Sequence, residues 1–336
     1  MHHICSSNCE HQRPGMSRRD FLTVASLAAV AATVPSLHAQ DAAPALKKGG
    51  RAPGATNGGG PTHPLIDIHV HQGSDAMRAA GAGKKGFGGR TEAQFLAHQK
   101  AVNAIGGVIL GGNDYEYEFM KQEPGRYVRF ASAMAPAGDR AAAVEKSLKN
   151  GARGIGEHRW EGDIPFSWSI LDMARDYKVP ILFHFEQSAF PKGVYGDFYK
   201  VIEKYPTVTF IGHAIDWWGS IDKNYDPTKG NYPRGRVTPG GLTDLWLGRY
   251  PNLHCDLSAQ SGNTALMRDP DFAKDFVTRH QDKIMFGSDC TCSQGGMPTC
   301  WLAIKLVALN FLQLSPEVQQ KIYLTNAAKM FNLKIA

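Results

Sequence analysis

Two histidines one residue apart, His69 and His71, close the run Leu65-Ile66-Asp67-Ile68-His69-Val70-His71. Alternate side chains of a strand share a face. Asp67, His69 and His71 are therefore expected to point inward, with Ile66, Ile68 and Val70 packing outward on helices. Two neutral imidazoles on one face suit zinc or a similar divalent metal. They also suit a pair of buried histidines satisfied by hydrogen bonds, and the pair alone does not decide. Three further residues stand in the same kind of place. His184 ends Pro180-Ile-Leu-Phe-His184, His213 ends Val208-Thr-Phe-Ile-Gly-His213, and Asp289 ends Ile284-Met-Phe-Gly-Ser-Asp289. Polar groups at buried strand ends are costly unless paired or metal-bound. Four apolar runs that each end in a potential ligand are hard to explain as packing, and they point to a metal constellation.

The elements that must carry these residues alternate. Strand-like runs fall near 65–71, 106–110, 128–134, 153–157, 179–184, 207–212, 252–257 and 283–288, with helical patterns at 91–104, 139–149, 167–177, 195–204 and 298–312. Strand–helix alternation implies parallel pairing through crossovers. Eight such units predict an α/β fold of the (β/α)₈ TIM-barrel type, whose active site lies at the C-terminal strand ends; an open doubly wound sheet is the alternative. Tyr205-Pro206, Tyr250-Pro251 and Val179-Pro180 each stop a helix just before an apolar run. The tail, 315–336, reads as two short helices closing over the barrel.

The N-terminus is expected to stand apart from this fold. Ser17-Arg18-Arg19-Asp20-Phe21-Leu22 is a twin-arginine pattern, followed by an alanine-rich apolar stretch that Pro35 breaks. That stretch is too short for a stable membrane anchor. Residues 1–39 are read as a twin-arginine signal peptide, with the true start at Met1 or Met16. Residues 40–63 are a Gly- and Pro-containing linker, and 64–336 form the catalytic barrel. The signal implies the bacterial twin-arginine export machinery as a partner and a periplasmic or secreted location, with no membrane anchor left after processing. A composition of 43% hydrophobic and 20% charged residues supports a large buried core. The net charge of +6 is scattered, so no nucleic-acid partner is expected. Cys290, Cys292 and Cys300 crowd the segment after Asp289. A bridge such as Cys292–Cys300 is open, as is a weaker reading as a second zinc site.

Residues 64–333 resemble the amidohydrolase-related group of the amidohydrolase superfamily. The resemblance rests on Asp67-Ile-His69-Val-His71, Tyr205-Pro206 with Ile211-Gly-His213, Tyr250-Pro-Asn-Leu-His-Cys-Asp256-Leu-Ser258, Phe286-Gly-Ser-Asp289 and Asn326-Ala-Ala-Lys-Met-Phe331. It implies His69, His71 and His184 as metal ligands, Asp289 as ligand and proton-transfer group, and His213 as the residue that orients or polarises substrate or water. The implied cofactor is a divalent metal, zinc foremost, with one ion favoured over two. Where many superfamily members place a bridging lysine on the fourth strand, this chain has Glu157. Glu157 could bridge a second metal, bind substrate or orient a ligand histidine. Arg159 could grip a substrate carboxylate or lie on the surface. Trp217 and Trp218, in the long loop after His213, could line a substrate pocket or anchor the loop.

The first functional expectation is a hydrolase that acts on a lactone, ester or amide of a small organic molecule, aromatic ones included, through a metal-activated water. The second is non-oxidative decarboxylation of an unsaturated or aromatic acid. The third is a non-catalytic periplasmic metal- or solute-binding protein.

Overall fold

The strands of the computed structural model are β1 (Leu65–His71), β2 (Ala104–Leu110), β3 (Tyr127–Phe130), β4 (Ile155–His158), β5 (Ile181–His184), β6 (Phe210–His213), β7 (Leu253–Asp256) and β8 (Ile284–Met285). The structure describes residues 63–79, 90–113, 116–134, 139–186, 194–291 and 300–334. The twin-arginine segment, nearly all of the linker and Cys292 lie outside them. Among the described residues no helix is long and apolar enough to cross a membrane.

All pairings are parallel. They form one sheet β1–β2–β3 and a second sheet β4–β5–β6–β7–β8. Backbone hydrogen bonds bridge the two seams. Between β3 and β4, Ala131 N donates to Gly154 O at 2.8 Å and Gly156 N to Ala131 O at 2.9 Å. Between β8 and β1, Ile68 N donates to Phe286 O at 3.1 Å and Asp289 N to His69 O at 2.9 Å. The first strand is thus bonded to the last, as a (β/α)₈ barrel requires and an open doubly wound sheet does not. β8 is short because the chain beyond Met285 leaves the ladder and bonds to β1 and to Ala259 N, which donates to Ser288 O at 3.1 Å.

The core has two layers. Outside the ring, Ile181, Phe183, Phe210 and Leu253 pack against Ile170, Leu171 and Ala174 of the helix Pro165–Asp176 and their neighbours. Inside it, Ile66, Ile68, Val108, Leu110, Val128, Phe130, Leu182, Ile211 and Met285 form one cluster with Ala327, Phe331 and Leu333. That cluster joins strands from opposite sides of the ring, so it fills the interior. The helix Asn326–Phe331 supplies its floor, which gives the tail the closing role expected of it.

The simple alternation expected for β1 needs correction. Ile66 and Ile68 point into the barrel, yet His69 and His71 also face the ring. The β1–β2 register slips between Asp67 and Val70, where Asp67 pairs with Gly107 but Val70 with Ile109. One extra residue reverses the parity of every side chain beyond it. Asp67 then turns to the seam, where its carboxylate accepts from Ser288 N at 2.9 Å and Ser288 Oγ at 2.5 Å. β4 uses the same device. Ile155 pairs with Ile181 but His158 with Phe183, so Glu157 faces inward and His158 packs outward on Phe166 and Phe183.

Candidate metal centre

The strand ends deliver two groups of ligand atoms on either side of one carboxylate. In the first, His69 Nε2 lies 3.3 Å from His71 Nε2. Asp289 Oδ1 lies 3.3 Å from His71 Nε2 and 3.8 Å from His69 Nε2. In the second, His184 Nδ1 and His213 Nε2 lie 2.7 and 3.2 Å from Glu157 Oε1. Glu157 also touches the first group, with Oε2 at 3.2 Å from His71 Nε2 and Oε1 at 3.7 Å from His69 Nε2. His69, His71 and Asp289 hold atoms within 4.8 Å of one another, as do Glu157, His184 and His213. His184, expected beside His69 and His71, groups instead with Glu157 and His213.

Behind the ligand atoms stands Asp256, the last residue of β7. Its carboxylate accepts from His69 Nδ1 at 2.7 Å and from His213 Nδ1 at 3.1 Å, which leaves both Nε2 atoms aimed at the ring centre. Ser258 N and Oγ donate to the same carboxylate at 3.0 and 2.6 Å. Asp256 is wholly buried. It ends its strand just as His184 and His213 end theirs, so its position carried a usable signal. Glu186, two residues beyond His184, was also missed; it sits 3.2 Å from His184 Nε2 and 3.3 Å from an Arg159 Nη2. Alternation along the strand could have indicated it.

Charge accumulates here beyond what the buried imidazoles carry in neutral form. Burial works against ionising Glu157, yet the charge and hydrogen bonds of His184, with those of His213 and His71, hold its carboxyl well below the usual range. Asp256 is likewise held far down: burial opposes its charge, and His213 and His69 outweigh it. The histidines respond in the opposite sense. Burial disfavours a charged His213, but Asp256 and Glu157 push it up to about 10. His71 and His184 are raised by their carboxylate neighbours in the same way. Such a site demands positive charge, which protons or a divalent cation can supply.

The donor set fits a cation. Bonds of 2.0–2.1 Å in a tetrahedron put ligand atoms about 3.3 Å apart, close to the spacing among His69, His71 and Asp289. All donors are imidazole nitrogens or carboxylate oxygens, the set expected for zinc or manganese rather than for a soft ion. Asp289 holds a left-handed backbone with φ 55°, and Ala214, next to His213, has φ 84°. Backbone strain of this kind concentrates at functional sites.

Access to the centre is uneven. Asp289 is 23% exposed and His71 14%, whereas His213 is 1% exposed. His213 therefore has no open face toward a substrate. Arg159 stands at the rim, with Nη2 3.5 Å from His184 Nε2. The tryptophans require correction as substrate-binding residues. Trp217 is fully buried on the outer side of β6, stacked on Phe185 at 5.5 Å, in a slot that exists because residue 212 is glycine. A Cβ on Gly212 would fall 2.5 Å from the indole carbons. Trp218 packs on Phe276. Both anchor the helix Ile215–Gly219 to the barrel.

Comparison with known proteins agrees with this architecture. No curated protein sequence matches the chain significantly. Among solved structures, a candidate 2-pyrone-4,6-dicarboxylic acid hydrolase from Pseudomonas putida superposes with a TM-score of 0.54 at 15% identity, over 81% of this chain and 99% of that one. A 2,6-dihydroxybenzoate decarboxylase in complex with 2,6-dihydroxybenzoate superposes at 0.51 and 14% identity, over 81% of this chain and 100% of the other. A candidate 2-pyrone-4,6-dicarboxylic acid hydrolase from Acinetobacter baumannii with bound citric acid gives 0.53 and 15%, with the same coverage. At these identities the likeness is one of fold. The sequence profile of the amidohydrolase family matches residues 66–333, which take in the eight strands apart from Leu65 and every candidate ligand described above; the chain belongs to that family.

Proposed function

We propose that this protein is a divalent-metal-dependent hydrolase that cleaves a lactone, ester or amide of a small carboxylated molecule. The observation that carries the reading is Glu157, whose carboxylate touches both ligand groups, with Oε2 on His71 and Oε1 on His184, His213 and, at 3.7 Å, His69. His69, His71 and Asp289 would hold one ion and His184 with His213 a second, with Glu157 between them. This two-ion count differs from the single ion favoured in the sequence analysis. When bound, such an ion supplies Lewis acidity and lowers the pKa of a nearby water.

The chain's own residues do the rest. Asp289, the most exposed carboxylate of the cluster, takes the proton of the attacking water and returns it to the leaving group. Asp256 keeps His69 and His213 in one tautomer and one orientation. Arg159 binds the substrate carboxylate once Glu186 yields its contact, and so sets the scissile carbonyl beside Asp289. His213 serves as a ligand, since its Nε2 faces Glu157 rather than open space.

Arg159 also supports a second reading. A carboxylate fixed by a guanidinium beside the centre is equally a substrate for decarboxylation. Purified protein incubated with lactones, amides and aromatic acids separates the two. Acid release without carbon dioxide supports hydrolysis, and carbon dioxide release overturns it. No turnover, with metal retained, favours a binding protein. We further propose export by the twin-arginine route, on the strength of Ser17–Leu22. Replacing Arg18 and Arg19 by lysine is expected to keep the protein in the cytoplasm, and unchanged export would refute the signal.

A further inference from the structure

Apart from the Glu157 centre, the described residues contain one other cluster of metal-ligating atoms. It joins three elements: His98 of the helix Glu92–Ala101, Cys290 next to Asp289, and Cys300, which caps the helix Trp301–Phe311. The two sulfurs lie 3.1 Å apart, and His98 Nε2 stands 3.6 Å from Cys300 Sγ and 3.9 Å from Cys290 Sγ. His98 and Cys290 are 2% exposed and Cys300 1%.

A buried cysteine pair alone would pass for packing, since a thiol behaves as a small apolar group. The imidazole does not fit that account. Its Nε2 reaches both sulfurs at once, as a shared metal ligand would. A disulfide fits poorly too. The sulfurs stand well beyond the ~2.05 Å of an S–S bond, and joining them would turn both of His98's sulfur neighbours into poorer ones. Bonds of about 2.3 Å to sulfur and 2.0–2.1 Å to nitrogen place sulfur and nitrogen donors roughly 3.6 Å apart around a tetrahedral ion. One nitrogen–sulfur distance matches that value and the other exceeds it by about 0.3 Å. The sulfurs must part by about 0.7 Å to reach the corresponding ~3.8 Å edge.

We propose that His98, Cys290 and Cys300 form a second, soft-metal site for a thiophilic d¹⁰ cation, Zn²⁺ or Cu⁺. On binding, two thiol protons leave to solvent as two metal–sulfur bonds form, and His98 contributes the neutral Nε2 lone pair. The carboxylate-containing Glu157 centre and this thiolate site differ in donor type, and only the thiolate site suits Cu⁺. The site would tie the segment that carries Asp289 to the helix of His98.

The test uses the full chain, stripped with chelator under reducing conditions and titrated with Co²⁺ as a reporter for Zn²⁺, and separately with Cu⁺ against a competing chelator. The wild type is expected to show sulfur-to-cobalt charge-transfer absorption and protection of its thiols from a thiol reagent. Cys300→Ser and His98→Gln are each expected to lose that absorption and one bound ion, while the ions held by histidine and carboxylate remain. Uptake of Cu⁺ alone, with thiol protection, supports the site and assigns the ion. Two results would overturn the proposal: no thiolate signal with either ion in a folded wild type, or the same signal in the Cys300→Ser variant. Recovery of Cys290 and Cys300 as a disulfide without metal would overturn it as well. Because the Glu157 centre is counted separately, its failure leaves this result readable.

Discussion

His69 Nδ1 donates to Asp256 Oδ2 at 2.7 Å, and both side chains are wholly buried. One carboxylate on β7 thereby fixes the tautomer of an imidazole on β1, and through His213 that of another on β6. Asp256→Asn preserves the shape but turns an acceptor that suits both rings into one that suits them poorly. Divalent-metal affinity is expected to fall about 10–100-fold, with the circular dichroism spectrum unchanged. A chelator competition titration measures it, and unaltered affinity would mean that something else orients the rings.

His184 Nδ1 contacts Glu157 Oε1 in the ligand group that does not include Asp289. His184→Ala is therefore expected to remove one of the two ions of the Glu157 centre and lower kcat by about 10²-fold or more. Elemental analysis alongside steady-state kinetics decides this; a variant that keeps both ions contradicts the two-group arrangement.

Arg159 is assigned to binding rather than chemistry. Arg159→Ala should raise KM for carboxylated substrates about tenfold, as expected for loss of roughly 1.4 kcal/mol, while kcat changes little. Lysine should rescue only part of the loss, because it lacks the planar fork. A purely structural arginine would instead lower Tm and leave KM alone.

Stability at acid pH has an identifiable source far from the centre. Asp244 accepts from Arg279 Nη1 and Nη2 at 2.6 and 3.1 Å and from His280 Nε2 at 2.6 Å. Burial works against its charge, but the bonds from His280 and Arg279 pull its pKa from 3.8 down to about 2. A carboxyl lowered on folding stabilises the native state above its unfolded pKa and loses that contribution as pH falls through the folded value. The window is therefore about pH 4 to 2. Asp244→Asn should cost about 1–2 kcal/mol at pH 6, after allowance for the half-exposed arginine, and progressively less below pH 4. Urea titrations at several pH values test the trend, and a pH-independent cost would refute the linkage.

Much of this was legible in the sequence. The eight apolar runs mark the eight strands, since Pro180, Pro206 and Pro251 stop the preceding helices and the runs are too short for helices themselves. The clustering of His69, His71, His184, His213 and Asp289 at one end of the strands followed from polar residues at run ends. Inward or outward facing was less accessible. The register slips in β1 and β4 are set by neighbouring strands, and they decide that Ile66 and Ile68 face the interior while His158 faces out. Trp217 was ambiguous because a tryptophan after a strand can turn either way; the slot beside Gly212 resolves it. The helix Ala259–Arg268 is harder to read because Ser261, Gly262 and Asn263 interrupt its apolar pattern.

The central claim is that Glu157 joins two cation sites. Crystals grown with Zn²⁺ and measured on both sides of the zinc absorption edge test it most directly. The account predicts two anomalous peaks flanking the Glu157 carboxylate, one among His69, His71 and Asp289 and one beside His184 and His213. A metal-loaded, active protein with a peak at only one of these positions, or at neither, would contradict it.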